Sequence, residues 1–310
     1  MRTCRIIAAL SAALLLSTVS AAALATQNEL NFAPLVNDKQ CTTLKNIAIW
    51  GYIEQYDPDG DKTELSIVKN PEKASVTLYG STFVYKPYPN ETGVDSFTVA
   101  AKDSAGNLSG NATVTVSIEE NQWDAGFNDM KNNPAHYSAV MLAKNNIVSG
   151  ERIGTADFFK PKSLVTSGDF LVMLLAAAGT DEDLAPCVST DVENDGDILL
   201  WLKPYVHYAR QRGFISGKSF LADEVMTNSE AVSLTAKAAG MKDVYTQPMY
   251  IKDVGDIPAQ HLQSYINLSA YGMLSLYDGY ARPNEPLTRA DAADLLWQLY
   301  CYRQRSQQEN

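Results

Sequence analysis

Three segments of this 310-residue chain repeat at a fixed offset of 61 residues, and that interval limits the fold more than any other feature. Val165-Thr166-Ser167-Gly168-Asp169, Met226-Thr227-Asn228-Ser229-Glu230 and Leu287-Thr288-Arg289-Ala290-Asp291 share one pattern. Phe159, Phe220 and Ala281 keep the register upstream, and Gly179, Gly240 and Cys301 keep it downstream. Such a period predicts tandem copies of one supersecondary unit, each burying its apolar face partly against its neighbours. The copies span 127–180, 188–241 and 250–303. Apolar spacing predicts first helices over 135–145, 199–212 and 260–271, each followed by a glycine stop near Gly150, Gly213 or Gly272. Second helices are expected over 169–178, 230–239 and 291–300, where the apolar residues are densest and form the shared core. Cys301, at the Gly179/Gly240 helix-end position, reads as a packing residue.

Residues 33–118 have a different period. Short runs rich in Val, Thr, Tyr and Phe alternate in polarity over 65–68, 75–79, 82–86, 96–101 and 112–118. Turn signals separate them, among them Asp57-Pro58-Asp59-Gly60-Asp61, Asn70-Pro71 and Pro89-Asn90. Strands at this spacing predict an all-β sandwich. Residues 119–126 read as a linker, so the chain is multidomain: a β-sandwich followed by an all-α repeat unit.

Ahead of both, Arg2 and Arg5, an apolar stretch from Ile6 to Val19 and Ala23-Leu24-Ala25 make residues 1–25 an expected secretory signal peptide. No later stretch is apolar enough to span a membrane, so the mature chain is expected to be exported without a transmembrane anchor. The formal net charge of −11 excludes nucleic acid as a natural partner, because phosphate neutralisation needs a basic patch. Beyond the signal segment there are three cysteines, Cys41, Cys187 and Cys301, which allow at most one internal disulfide.

The β region resembles the bacterial cadherin-like and immunoglobulin-like modules of secreted surface proteins. Ala33-Pro34, the Asp57–Asp61 turn, Phe83-Val84-Tyr85-Lys86-Pro87, Gly93-Val94-Asp95-Ser96-Phe97 and Asp103-Ser104-Ala105-Gly106 carry that resemblance in order. The repeat resembles the S-layer homology (SLH) module, three copies of which form a pseudo-threefold helical unit. Its opening motif is matched by Phe127-Asn128-Asp129-Met130, Ser189-Thr190-Asp191-Val192 and Ile251-Lys252-Asp253-Val254. Its first-helix aromatic is matched by Tyr137 and Trp201, with Leu262 and Tyr265 near that point in the third copy. Phe159-Lys160-Pro161 and Ala281-Arg282-Pro283 match its loop. The SLH resemblance implies attachment to secondary cell-wall polysaccharide, commonly a pyruvylated sugar, in grooves between copies, and hence a location at the bacterial cell wall or S-layer.

The repeated motif contains two kinds of chemistry. Thr166, Thr227 and Thr288, each followed three residues later by Asp169, Glu230 or Asp291, form helix capping boxes. The arginine between them is a carboxylate- or phosphate-binding fork that a cap does not need. It survives only as Arg289, with Ser167 and Asn228 at the matching positions. The expected glycan site is therefore in the third copy: Arg289 pairs with an anionic group, Arg282 assists from the adjacent loop, and Tyr277 or Trp201 stacks on a sugar face. In the β module, Asp57, Asp59 and Asp61 offer the oxygens a calcium ion requires, with Asp95, Asp103 or Asn37 as further ligands if the fold brings them close. A tight turn uses the same residues, and no cofactor is required.

The only histidines are His136, His207 and His261, and no nucleophile–base constellation accompanies them. The sequence thus reads as a non-enzymatic surface protein displaying a β module with a protein partner of its own. One alternative is a degenerate repeat acting as a scaffold without glycan binding; another is a wall-glycan hydrolase.

Overall fold

A computed structural model describes residues 31–121, 126–180, 184–245, 251–276 and 279–308. The expected signal segment and residues 122–125 of the expected linker lie outside them.

The N-terminal module is a two-sheet sandwich. Its strands are β1 (Leu35–Val36), β2 (Lys39–Leu44), β3 (Ile49–Tyr52), β4 (Gln55–Tyr56), β5 (Glu64–Lys69), β6 (Ala74–Tyr79), β7 (Thr82–Pro87), β8 (Gly93–Lys102) and β9 (Ala112–Glu119). One sheet has the order β2-β9-β8-β5 and the facing sheet the order β3-β7-β6, with β1 and β4 paired apart. Only β2 and β9 run parallel within these sheets. The five strands expected from alternation are β5 to β9. The four earlier strands are short or half-buried, so their alternation is weak.

Alternate residues of β7 and β8 enter the core. Phe83, Tyr85, Phe97 and Val99 are fully buried, with the Phe83 and Phe97 rings edge-on at 5.2 Å. Gly51 has no side chain because the Phe83 ring occupies that space: a Cβ there would lie 2.3 Å from the ring. Asp95 is buried beside this core, where its carboxylate accepts from the Tyr85 hydroxyl at 2.6 Å. The backbone N–H groups of Glu72, Lys73 and Ser96 donate to it at 3.0, 2.9 and 2.9 Å. Burial alone would raise its pKa; the hydrogen bonds outweigh burial and hold it below the usual carboxylate range.

The C-terminal unit contains α1 (His136–Lys144), α2 (Ser167–Ala178), α3 (Lys203–Gln211), α4 (Asn228–Ala238), α5 (Ala259–Ala270) and α6 (Arg289–Gln308). A short hairpin, β10 (Glu151–Ile153) and β11 (Ala156–Phe158), interrupts the first copy. The second helices α2, α4 and α6 pack on one another at the centre. Each also packs on the first helix of another copy: α2 on α3, α4 on α5 and α6 on α1.

A closed ring of backbone hydrogen bonds joins the copies. Val165 N–H donates to Leu287 O, Leu287 N–H to Met226 O and Met226 N–H to Val165 O, at 2.7–3.0 Å. A second set runs from Ser167 to Glu224, Asn228 to Glu285 and Arg289 to Ser163. A third runs from Gly168 to Ala222, Ser229 to Pro283 and Ala290 to Pro161. The donors of the last two sets are the first two residues of α2, α4 and α6. The third N–H of each helix goes to the capping threonine, Thr166, Thr227 or Thr288, at 3.2, 3.3 and 3.2 Å. The exposed N-terminal donors of each helix are thus satisfied, two by a neighbouring copy and one by the threonine. Thr227 and Glu230 form the complete reciprocal box.

Two expectations change. Cys301 does not end a helix, because α6 continues to Gln308; burial raises its thiol pKa to about 11. The second copy opens at Asn194, not at Asp191. The Asn194 amide accepts from Phe220 N–H at 2.9 Å, as the Asp129 carboxylate does from Phe159 N–H and the Asp253 carboxylate from Ala281 N–H, both at 2.8 Å. Asp191 instead lies in the left-handed region with φ 58°. All three cysteines are free thiols.

Replacing Asp95 by Ala strands the Tyr85 hydroxyl and three backbone N–H groups. We expect a loss of about 3 kcal/mol in the denaturant unfolding of the β module, with a smaller loss for Asp95→Asn. An unchanged midpoint for Asp95→Ala would remove the carboxylate from the account of this core.

Candidate functional site

The residue after the threonine of the repeated motif does the same work in every copy. Arg289 donates from Nε to Phe159 O and from Nη2 to Ser149 O, both at 2.9 Å, and its guanidinium lies 4.7 Å from the Phe159 ring centroid. Asn228 donates through Nδ2 to Arg282 O at 2.9 Å, and Ser167 through its hydroxyl to Glu224 O at 3.3 Å. Each side chain therefore fastens its helix start to the next copy. Arg289 is a structural clamp on the first copy, and Ser167 and Asn228 are shorter versions of it. Burial lowers the Arg289 pKa, with Asp169 and Asp129 opposing.

Arg282 is placed differently. It lines a groove of about 220 Å³ between α4, α5 and α6, together with Asn228, Tyr265, Ser275, Tyr280, Glu285 and Asp291. An adjoining hollow of about 510 Å³ shares Tyr280, Arg282 and Glu285 and adds Asp253, Asp256 and Asn284. The backbone of Arg282 is held at three points. Its N–H donates to Asp253 Oδ2 at 2.8 Å, and its carbonyl accepts from Asn228 Nδ2 at 2.9 Å and from Glu285 N–H at 3.1 Å. Its φ is 46°, a left-handed conformation uncommon for a residue with a side chain. Lys160 is its counterpart in the first copy, with φ 60° and its N–H on Asp129 Oδ2 at 2.7 Å. In the second copy this position is Leu221. Two of three loops therefore hold a basic residue in a strained backbone fixed by a carboxylate.

The groove can hydrogen-bond a polyhydroxy ligand through Asn228, Ser275, Tyr280 and Glu285, and Arg282 adds a cation for an anionic substituent. Asp291 is engaged with Thr288 at 2.5 Å, and Asp294 accepts from Ser138 Oγ at 2.8 Å, so these two carboxylates brace the wall. Of the expected site residues, Arg282 lies in the groove and Arg289 does not. Trp201 is exposed on the approach to α3, edge-on to Tyr205 at 6.5 Å, and lines neither hollow. Tyr277 lies outside the described residues. Tyr265 and Asn228 give no ligand signal in the sequence, where one lies near the first-helix aromatic position and the other stands where the arginine is missing.

The acidic turn serves its own backbone. Asp57 Oδ1 accepts from Asp59 N–H and Asp61 N–H at 3.0 and 3.1 Å. Asp59 and Asp61 accept from Phe32 N–H and Asn31 Nδ2. Asp95 is engaged elsewhere, with Tyr85, and Asp103 is joined to the turn only through Asn107 and Asn31, which donates to Asp61. Among the described residues, no three acidic, histidine or cysteine side chains converge as a metal site would require.

A third hollow, of about 250 Å³, lies where the β module meets the helical unit, between Lys45, Asn46, Asn121, Asn128, Lys131 and His136. Leu44 and Ile47 join the helical core here, and Tyr137 packs against both cores. His136 is buried, its Nε2 lacks a hydrogen-bond partner, and burial lowers its pKa to about 4.

The family model described as bacterial Ig domain matches residues 31–118, which makes the N-terminal module Ig-like. An amylopullulanase of Thermoanaerobacterium thermosulfurigenes is 25% identical over 185 residues, covering 59% of this chain and 10% of that enzyme. The chain thus spans about a tenth of that relative's length. Among solved structures, the SrpA adhesin of Streptococcus sanguinis has a TM-score of 0.23 at 16% identity, covering 29% of this chain and 57% of that one. The fibronectin(III)-like modules of Clostridium thermocellum CbhA have a TM-score of 0.22 at 14% identity, covering 30% and 50%. No helix of the described residues is long and apolar enough to cross a membrane.

Two predictions follow from the clamp and the buried imidazole. Arg289→Ala should lower unfolding stability by about 2 kcal/mol, and Arg289→Lys should recover less than half, because the two carbonyls need a fork. Equal midpoints for parent and Arg289→Ala would remove the clamp. The folded chain keeps His136 neutral, while the unfolded chain takes up a proton near the ordinary pKa of 6.5. Stability is therefore full above about pH 6.5 and falls as pH drops toward about 4, by on the order of 3 kcal/mol from this group. His136→Gln should flatten that part of the pH–stability curve, and an unchanged slope would count against the assignment.

Proposed function

We propose that this chain is a non-enzymatic surface protein. Its helical unit attaches non-covalently to a secondary cell-wall polysaccharide, and its Ig-like module is displayed outward. The observation that carries this reading is Arg282: a cation in a strained loop, its backbone fixed by Asp253 and Asn228, on a groove lined by hydroxyl, amide and carboxylate groups. Backbone strain held by over-determined contacts is a mark of functional loops. Binding through this groove replaces the earlier expectation that Arg289 meets the glycan. The resemblance of the repeat to SLH modules supports a wall glycan with an acidic substituent, such as a pyruvylated sugar, as the ligand. The bacterial Ig domain supports an extracellular or cell-surface location.

Co-sedimentation with purified cell walls tests the proposal. The parent chain should pellet with walls and stay in solution once the secondary polymer is extracted. Arg282→Ala should weaken retention by about tenfold, the loss of one charge-assisted hydrogen bond. Retention that is indifferent to the polymer, or to Arg282→Ala, would reject the groove and favour a scaffold without glycan binding. Release of reducing sugar from walls would favour the hydrolase reading.

A further inference from the structure

The outer face of the three-stranded sheet carries an aromatic platform that has no part in the wall groove. Trp50 and Tyr79 lie on β3 and β6, the two strands that flank β7. Their rings are nearly parallel, at 8°, with centroids 5.9 Å apart. Tyr52 and Tyr79 both pair across the sheet with Thr82, which is 4% exposed. The two tyrosines stay open to solvent, Tyr52 39% and Tyr79 52% exposed, and Trp50 is half-buried between the sheet and Tyr79. The inward residues of the central strand β7, Phe83 and Tyr85, fill the core, so the outward rings are not needed to complete it.

We propose that this platform binds a neutral polysaccharide, by stacking the rings against the apolar C–H faces of pyranose units. Three features favour that occupant. Offset, parallel rings offer flat π-faces, which suit a flat ligand face better than irregular side chains. The surrounding outward positions carry hydroxyl groups, from Ser75 and Thr77, and a single charge, Lys86, so they offer hydrogen bonds to a neutral sugar and not the cluster of cations an acidic polymer calls for. A stable protein partner would need roughly 800 Å² per side, and three partly covered rings supply well under that, at no more than about 150–250 Å² each. A sugar chain needs only a few ring contacts with hydroxyl groups alongside.

The test is affinity electrophoresis of the full chain in native gels cast with hydroxyethyl cellulose, soluble starch or galactomannan. The parent should be retarded in at least one gel. Trp50→Ala and Tyr79→Ala should each weaken binding by about tenfold, and Tyr79→Phe, which keeps the ring, should bind as the parent does. Tyr79 is at the surface, so its variants keep the measurement usable if Trp50→Ala fails to fold. Arg282→Ala should leave this retardation unchanged, which separates the platform from the wall groove. No retardation in any of the three gels, or equal retardation of parent and Tyr79→Ala, overturns the proposal. So does sedimentation velocity showing self-association of the parent that Tyr79→Ala abolishes, because the rings would then seat a second copy.

Discussion

The closed ring of nine backbone hydrogen bonds around Val165, Met226 and Leu287 is the constraint on which the helical unit depends. Each copy donates two of these bonds to the next copy and one to the previous copy, and accepts two from the previous copy and one from the next, so no copy is complete alone. A buried helix start with unpaired N–H groups would cost on the order of 1–3 kcal/mol per group. Here the pairs come from another copy, so local helix formation and assembly of the trimeric arrangement become one event. The swapped packing of first on second helices, α3 on α2, α5 on α4 and α1 on α6, adds side-chain contact to the same cycle.

The ring also decides where a ligand can bind. Helix N-termini are natural anion sites, but in α2, α4 and α6 the leading donors are already used by carbonyls of the next copy and by threonine. Arg289 is drawn into the same task. What remains is the loop before each ring segment, where Asp129 and Asp253 clamp the backbone and turn Lys160 and Arg282 into the left-handed region. These loop side chains sit beside the symmetric hub and can change without breaking the cycle. Lys160 and Arg282 are basic and Leu221 is neutral at one equivalent position, while the ring bonds below them recur in all three copies.

The sequence carried the architecture and misplaced part of the chemistry. The 61-residue offset located the ring, because backbone hydrogen bonds fix spacing and tolerate any side chain that fits. The capping threonines were legible because their role is local. Arg289 was not, because its partners Phe159 and Ser149 lie 130 and 140 residues away and are main-chain carbonyls, which leave no residue signature. The opening of the second copy was misread for a related reason: Asn194 replaces the carboxylate, while an Asp at the expected spacing, Asp191, has another conformation. Arg282 was named as an assistant because a loop arginine looks ordinary until its φ is known.

The two modules meet through few groups, and the same groups set how firmly one orients the other. Leu44 and Ile47 extend from the end of β2 into the helical core, and Tyr137 of α1 touches both cores. Burial raises the Tyr137 pKa, and the neighbouring Glu119 adds to the shift, so its hydroxyl stays neutral. His136, the residue before it, stays neutral by burial against Gly126. A joint made of neutral, buried rings beside the salt bridge of Lys45 and Glu120 at 2.7 Å is held mainly by apolar contact, since an exposed ion pair contributes at most about 1 kcal/mol. Salt should therefore weaken it little, while protonation of His136 acts on it directly. In a protein held at a surface by one module, such a joint fixes the direction in which the other module, with its aromatic face, is presented.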